Sequence, residues 1–293
     1  MRLGEHEPFL WTGTVTHSRR QLVELLDGAG ITLSRALGQN YVADPNTVRR
    51  IARLAGLRSG DRVVEIGAGI GSLTLALAET GAEVLAVETD RYVVPVLRKV
   101  LEGLPVTVLE ADALHLSWVQ ALQPPGSTWS MVANLPYNIA TTLILEVLEK
   151  VPAVGSMLVM VQREVGERLA AGPGSRTYGI PSVKRAWWAE AAVVGRVPAT
   201  VFVPVPRVES VLLRVVRRPV PVTGLDSRQV FAVLEQAFGQ RRKMLRRSLV
   251  SHAGFEARAR AAGVRPEARP EELSLANWVA LAEALHGRDP VEH

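Results

Sequence analysis

The tetrapeptide Asn134-Leu135-Pro136-Tyr137 brings together groups that can hold and activate a nucleobase amine. The lone pair of such an amine is delocalised into the ring, so it attacks poorly until its nitrogen is drawn towards tetrahedral geometry. The Asn134 side-chain oxygen and the Leu135 carbonyl supply two acceptors for the N–H groups, and Pro136 stiffens the turn that aims them. Tyr137 offers a ring on which an extruded base can stack, worth on the order of 1–3 kcal/mol. Phe202, in F202-V-P-V-P-R-V208, reads either as a cover for the other face of the base or as an ordinary core phenylalanine. An attack by the amine on a sulfonium carbon would release a neutral thioether, so the leaving group needs no acid. Positioning then does most of the catalysis.

A second pattern, E65-I-G-A-G-I-G71, sets Gly67, Gly69 and Gly71 at alternate positions, where a backbone without side chains can approach a ligand. A dinucleotide fingerprint requires a glycine where this chain has Ser72, which argues against a nicotinamide cofactor. Glu88, at the end of the next apolar run, is placed to accept from both ribose hydroxyls, and Asp112 from the amino group of a cofactor adenine. With the tetrapeptide, these residues describe methyl transfer from S-adenosylmethionine to the 6-amino group of adenine. Taken singly they read otherwise: a tight strand-helix turn, solvated strand ends, and a proline turn with a buried tyrosine.

Such groups meet only if a scaffold gathers strand ends on one edge. Apolar runs alternate with helical patterns from Arg62 to about Val216, the mark of an α/β fold whose parallel sheet is covered on both faces. The spacing predicts seven strands, at 63–66, 84–88, 106–112, 129–134, 156–162, 191–197 and 210–216. The last two are joined by VPATVFVPVPR, too short and proline-broken for a crossover helix, so they should form an antiparallel hairpin. Helical patterns follow at Arg228–Leu249, about Glu256–Ala262 and Glu271–His286. The predicted division is a catalytic domain at 1–218, whose residues 1–35 form a partly mobile helical arm, and a small helical domain at 219–293.

The strings G38-Q-N-Y-V-A-D44, VVEIGAGIGSLT, ANLPYNI, VQREVGERLAAGPGSRTYG, FVPVPRVES and QRRKMLRRSL together resemble the small-subunit (16S) ribosomal RNA adenine dimethyltransferases, the KsgA (RsmA) family. The similarity runs from about Leu33 to Leu285. It implies a Rossmann-like class I methyltransferase fold, with Gln39, Asn40 and Val42 bordering the cofactor. By the same resemblance Gly67, Gly69, Glu88 and Asp112 hold the cofactor, and Asn134 lies where cofactor meets target. The implied substrate is two adjacent adenosines near the 3′ end of 16S rRNA in the small (30S) subunit or its late precursor. This sequence departs from the family pattern at Tyr41-Val42, where Phe-Leu is usual, at Ala68, where proline is frequent, and at Met244 and Arg247-Ser248.

Composition bounds the rest. At 293 residues and 47% hydrophobic the chain can build a real core, and its lack of cysteine excludes disulfides, thiolate metal sites and cysteine nucleophiles. The six histidines are scattered, so no metal is expected. No basic leader or bilayer-length apolar run is present, which predicts a cytoplasmic protein, expected to be a monomer. The formal charge is +5, and the segment 240–249 carries Arg241, Arg242, Lys243, Arg246 and Arg247 without an acid. These cations are expected to hold RNA phosphates, the alternative being a solvated helix face. The loop Gly172–Gly179 could close over substrate or be idle surface. Two other functions fit parts of the pattern: methylation of large-subunit rRNA, and an assembly factor whose binding outweighs its chemistry.

Overall fold

The computed structural model describes residues 16–31 and 40–286. Its strands are β1 (Tyr41–Val42), β2 (Arg62–Ile66), β3 (Glu83–Glu88), β4 (Val106–Glu110), β5 (Trp129–Asn134), β6 (Val154–Gln162), β7 (Ala189–Val197), β8 (Phe202–Val203) and β9 (Ser210–Arg217). Seven of them form one sheet in the order β4-β3-β2-β5-β6-β9-β7, while β1 and β8 pair separately. β2 to β6 run parallel, and β9 is antiparallel to both β6 and β7. The expected antiparallel pair is therefore present, and its second member is wedged inside the sheet while its first forms the edge.

Both faces of the central strands are buried because their apolar residues alternate sides and each side meets a helix. Val64, Ile66, Leu85, Val87, Met131 and Ala133 pack on Leu143, Ile144, Val147 and Leu148 of the helix Ala140–Lys150. On the other face Val63, Val84 and Val132 meet Val48 and Ile51 of Pro45–Ala55 and Leu73 and Leu77 of Ser72–Ala78. The helix Pro45–Ala55 is fixed at its start by Asp44, whose carboxylate accepts the Thr47 N–H at 2.9 Å, and stops at Gly56 with φ of 68°.

The expected arm at 1–35 falls partly outside the described residues, and the part that is described is docked. In the helix Arg19–Gly28, Leu22 and Leu26 are buried against Tyr41, Ile70 and Val93. Thr16 Oγ1 donates to the Ser72 carbonyl at 2.9 Å, and His17 Nε2 lies 3.0 Å from the Ile70 carbonyl. Arg19 Nη2 reaches the Thr200 and Phe202 carbonyls. The reading of a partly mobile helical arm gave no hint of these ties.

The single helix expected at Arg228–Leu249 is broken. It spans Ser227–Phe238, then gives way to turns, and resumes as the short helix Leu245–Ser248. The break has a physical cause: Leu245 N–H and Arg246 N–H bond to the Ala268 and Pro266 carbonyls rather than one turn back. The last helix begins at Leu275 rather than Glu271, because Ser274 and Asn277 cap it with exchanged hydrogen bonds and Pro270–Glu272 forms a separate 3₁₀ turn. The apolar core of these helices also takes in Tyr178, Val183 and Trp187 from the segment before β7.

Candidate active site

A cavity opens at the C-terminal ends of β2, β3 and β5, the edge where open α/β sheets take ligands. Gly67, Gly69 and Gly71 turn the chain from β2 into the helix Ser72–Ala78 with φ of 72°, 58° and 89°, a region that side chains disfavour. A Cβ at Gly69 would lie 2.6 Å from Tyr41 Cε1, and one at Gly67 would point to the Asn134 carbonyl, 3.7 Å away. The turn is anchored by Gly67 N–H and Ala68 N–H, both donated to the Val87 carbonyl.

Glu88 is buried at the cavity wall, and its carboxylate accepts backbone N–H groups from Gly69 at 2.7 Å and from Thr89 and Asp90 at 2.9 Å. Burial raises its pKa, and these three donors oppose the rise. Asp112 is exposed, with Oδ1 accepting from Leu114 N–H and Oδ2 2.9 Å from His115 Nδ1. Those bonds, the Leu114 N–H first, lower its pKa and keep it an acceptor with lone pairs to spare.

Asn134 ends β5, and its Nδ2 donates to the Asn40 carbonyl at 2.8 Å. One N–H of the amide is thereby committed inside the protein, which fixes the side of Nδ2 and leaves Oδ1 as the acceptor. Leu135 N–H bonds to the Met160 carbonyl, and the Tyr137 hydroxyl lies 3.3 Å from Ser210 Oγ at the start of β9. Asn40, Val42, Gly67, Gly69, Glu88, Asp112, Asn134, Leu135, Pro136 and Tyr137 all line the cavity. Gln39 lies outside the described residues.

Phe202 does not join them. It is fully buried, because β8 pairs with β1 in a register that sets Phe202 opposite Val42 and turns its ring into the core with Val48, Val197 and Leu212. Among the cavity-wall residues that sequence reasoning missed are Tyr41, Glu65 and Ser72. Glu65 had a legible signal, a lone acid inside the buried run VVEI of a central strand.

The five cations of 240–249 divide into two kinds. Arg241 faces inward, its Nε 2.9 Å from Glu271 Oε2 and its Nη2 donating to the Arg176 carbonyl, and Arg246 sits 3.8 Å from Glu267. Arg242, Lys243 and Arg247 are exposed and pair with none of the described residues. The loop Gly172–Gly179 is tied to the C-terminal helices: Gly174 N–H bonds to the Glu271 carbonyl and Tyr178 OH to the Leu273 carbonyl at 2.7 Å. Among the described residues no group of acids and histidines is arranged to hold a metal.

The sequence pattern of the family described as "Ribosomal RNA adenine dimethylase" matches residues 31–286. The chain belongs to that family. Ribosomal RNA small subunit methyltransferase A of Kineococcus radiotolerans is 47% identical over 274 residues, covering 90% of this chain and 90% of the relative. The protein of that name from Acidothermus cellulolyticus is 45% identical over 271 residues, covering 89% and 92%. Among solved structures, the 23S rRNA methyltransferase ErmE aligns with a TM-score of 0.65 at 27% identity, over 84% of this chain and 100% of that one. A dimethyladenosine transferase from Plasmodium falciparum gives 0.66 at 22% identity over 81% and 94%, which speaks to the fold. This chain thus has a Rossmann-like methyltransferase fold, shared with these neighbours.

Proposed function

We propose that this chain transfers two methyl groups from S-adenosylmethionine to the 6-amino group of each of two adjacent adenosines near the 3′ end of 16S rRNA, on the small (30S) subunit or its late precursor. The observation that carries the reading is the Asn134–Asn40 hydrogen bond, which leaves an oxygen acceptor at the cavity beside the glycine turn. The residues present suit the cofactor: Gly67 and Gly69 bare the backbone at the cavity wall, and one oxygen of the buried Glu65 has no partner.

S-adenosylmethionine supplies a methyl group on a positively charged sulfur. Glu88 would bind the ribose hydroxyls and Asp112 the adenine amino group, while Gly67 and Gly69 admit the ligand against the backbone. Asn134 Oδ1 and the Leu135 carbonyl would each take an N–H of the target amine and so aim its lone pair at the methyl. Tyr137, steadied by Ser210, would stack on the base. Arg242, Lys243 and Arg247, with Arg246 at the margin, would hold RNA phosphates on the surface of residues 219–293, which we assign as the RNA-contacting unit. We place the reaction in the cytoplasm and carried out by a monomer; no helix among the described residues is long and apolar enough to cross a membrane.

The test supplies labelled S-adenosylmethionine with unmodified small subunits and, separately, with large-subunit rRNA, and maps the methylated bases. Dimethyladenosine near the small-subunit 3′ end is the expected product. Label confined to large-subunit RNA would give the chain the 23S specificity of ErmE and overturn the proposal.

A further inference from the structure

The helix Pro45–Ala55 carries Arg49, Arg50 and Arg53 and no acid. Its buried face is Val48, Ile51 and Ala52, so the three arginines fall on the face turned away from the core. Arg53 lies one turn from both Arg49 and Arg50, and like charges at these spacings repel. Elsewhere on the helices cations are paired with an acid four residues off: Arg20 with Glu24, Lys150 with Glu146, Arg163 with Glu167, Arg168 with Glu164, and Arg260 with Glu256. None of Arg49, Arg50 and Arg53 forms an ion pair with a described residue.

Two neighbouring strands extend this face. Arg50 lies across the edge strand β7, its Nη1 donating to the Arg196 carbonyl at 3.0 Å and its Nη2 where a Cβ at Gly195 would collide with it. Arg214, exposed on β9, donates from Nη2 to the Leu54 carbonyl at 2.8 Å, which sets its guanidinium beside the last turn of the helix. Arg50 and Arg214 are thus each held by one backbone carbonyl and keep most of their five donors for another acceptor. Two acids are near. Glu79 feels the field of Arg49, and Glu190 is a diagonal neighbour of Arg214 across the β7–β9 pair, yet neither forms an ion pair with these arginines.

Mutually repelling guanidiniums with spare donors match a polyanion, whose phosphates accept bidentate bonds and relieve the repulsion without being read for sequence. We propose that the outer face of the helix Pro45–Ala55, with Arg214 beside it, is a second phosphate-binding surface for the rRNA substrate, outside residues 219–293. The inference rests on the rRNA substrate assigned above. This helix packs on the sheet face opposite Ala140–Lys150, and it is Ala140–Lys150 that meets Ile180–Trp188 and, through it, the helices after residue 226. The two basic surfaces therefore flank the sheet, and the RNA held here is a different stretch from that held by Arg242, Lys243 and Arg247. Tyr41 and Val42 of the cavity wall stand just before the helix that Asp44 caps, so RNA held here bears on the segment that borders the cofactor.

The experiment measures binding of the full chain to unmodified small subunits and to protein-free 16S rRNA over a range of salt. The triple variant Arg49→Gln, Arg50→Gln, Arg53→Gln should bind both about tenfold or more weakly at moderate salt, and its slope of log K should shrink by roughly two to three, one for each phosphate left without its cation. S-adenosylhomocysteine should bind the variant as it binds the wild type, which checks that the fold is intact. Should the triple variant fold poorly, Arg53→Gln alone serves, because that side chain bonds to no described residue; its slope should shrink by about one. Combined with neutralisation of Arg242, Lys243 and Arg247, the losses in log K should add, as they do for separate sites. Unchanged affinity and slope would overturn the inference. So would a loss seen with small subunits but not with protein-free rRNA, which would give this face to a ribosomal protein. Wild-type binding to large-subunit rRNA alone, governed by the same arginines, would instead overturn the substrate assignment and leave this surface standing.

Discussion

Gly69 N–H donates to Glu88 Oε2 at 2.7 Å, so the glycine turn after β2 and the carboxylate at the end of β3 are set as one unit. The bond holds the carboxylate in place before any ligand arrives, and it depends on Gly69 keeping a φ of 58° with Tyr41 packed over it.

Gly69→Ala should therefore lose cofactor affinity by about tenfold or more, since a left-handed backbone and a Cβ 2.6 Å from Tyr41 Cε1 together cost on the order of 1–3 kcal/mol. Titration with S-adenosylhomocysteine measures it. Adding Tyr41→Ala relieves the contact but not the dihedral, so recovery should be partial. Wild-type affinity in the single variant would mean that the turn relaxes at no cost.

Asn134→Ala should lower the rate of methyl transfer by about 10²–10³-fold, the usual loss on removing one positioned hydrogen-bonding group from a reaction centre. Single-turnover transfer to small subunits reads the rate, and growth with subunit maturation reads the consequence in cells. If the chain acted chiefly by binding an assembly particle, maturation would survive the substitution.

Stability should fall with rising pH in a window set by Glu65. Its folded value of about 8 stands above the ordinary 4.5, so between the two the native state binds more protons than the unfolded chain. The sign follows: no penalty is felt below about 4.5, it grows through the interval, and it is complete above about 8. Thermal unfolding from pH 5 to 9 should show this decline in the ligand-free wild type and a flatter profile in Glu65→Gln. Equal slopes would place the burial penalty elsewhere.

Neutralising Arg242, Lys243 and Arg247 together should weaken rRNA binding uniformly and reduce the salt slope of log K by roughly one for each phosphate left without its cation. Arg241→Ala should act differently, by releasing Glu271 and the Arg176 carbonyl, and show chiefly as lower thermal stability. An unchanged salt slope in the triple variant would remove this face from the RNA interface.

The strands were legible because each apolar run is bounded by turn formers, and β2, β3 and β5 lie within a residue of where their hydrophobic runs place them. Asn134 and Glu88 could be set on the ligand edge for the same reason, since parallel strands point their C-terminal ends one way. What the residues could not reveal depends on partners distant in sequence. Phe202 turns inward only because β8 finds β1, over 150 residues earlier, as a partner. The helix from Ser227 stops at Phe238, and Leu245 and Arg246 cannot extend it because Ala268 and Pro266 capture their N–H groups; no local propensity records that competition. The internal duties of Arg241 were hidden likewise, in an acid thirty residues away.

The family's shared span opens at residue 31, beyond the helix Arg19–Gly28. Trimming to that span would look harmless on an alignment, yet it would strip Thr16 and His17 from the carbonyls of Ser72 and Ile70 and expose the Tyr41 and Val93 faces that Leu22 and Leu26 help to cover. Binding constants taken on such a shortened protein would report a slackened floor beneath the ligand, and a purification handle inserted within residues 16–28 would carry the same penalty.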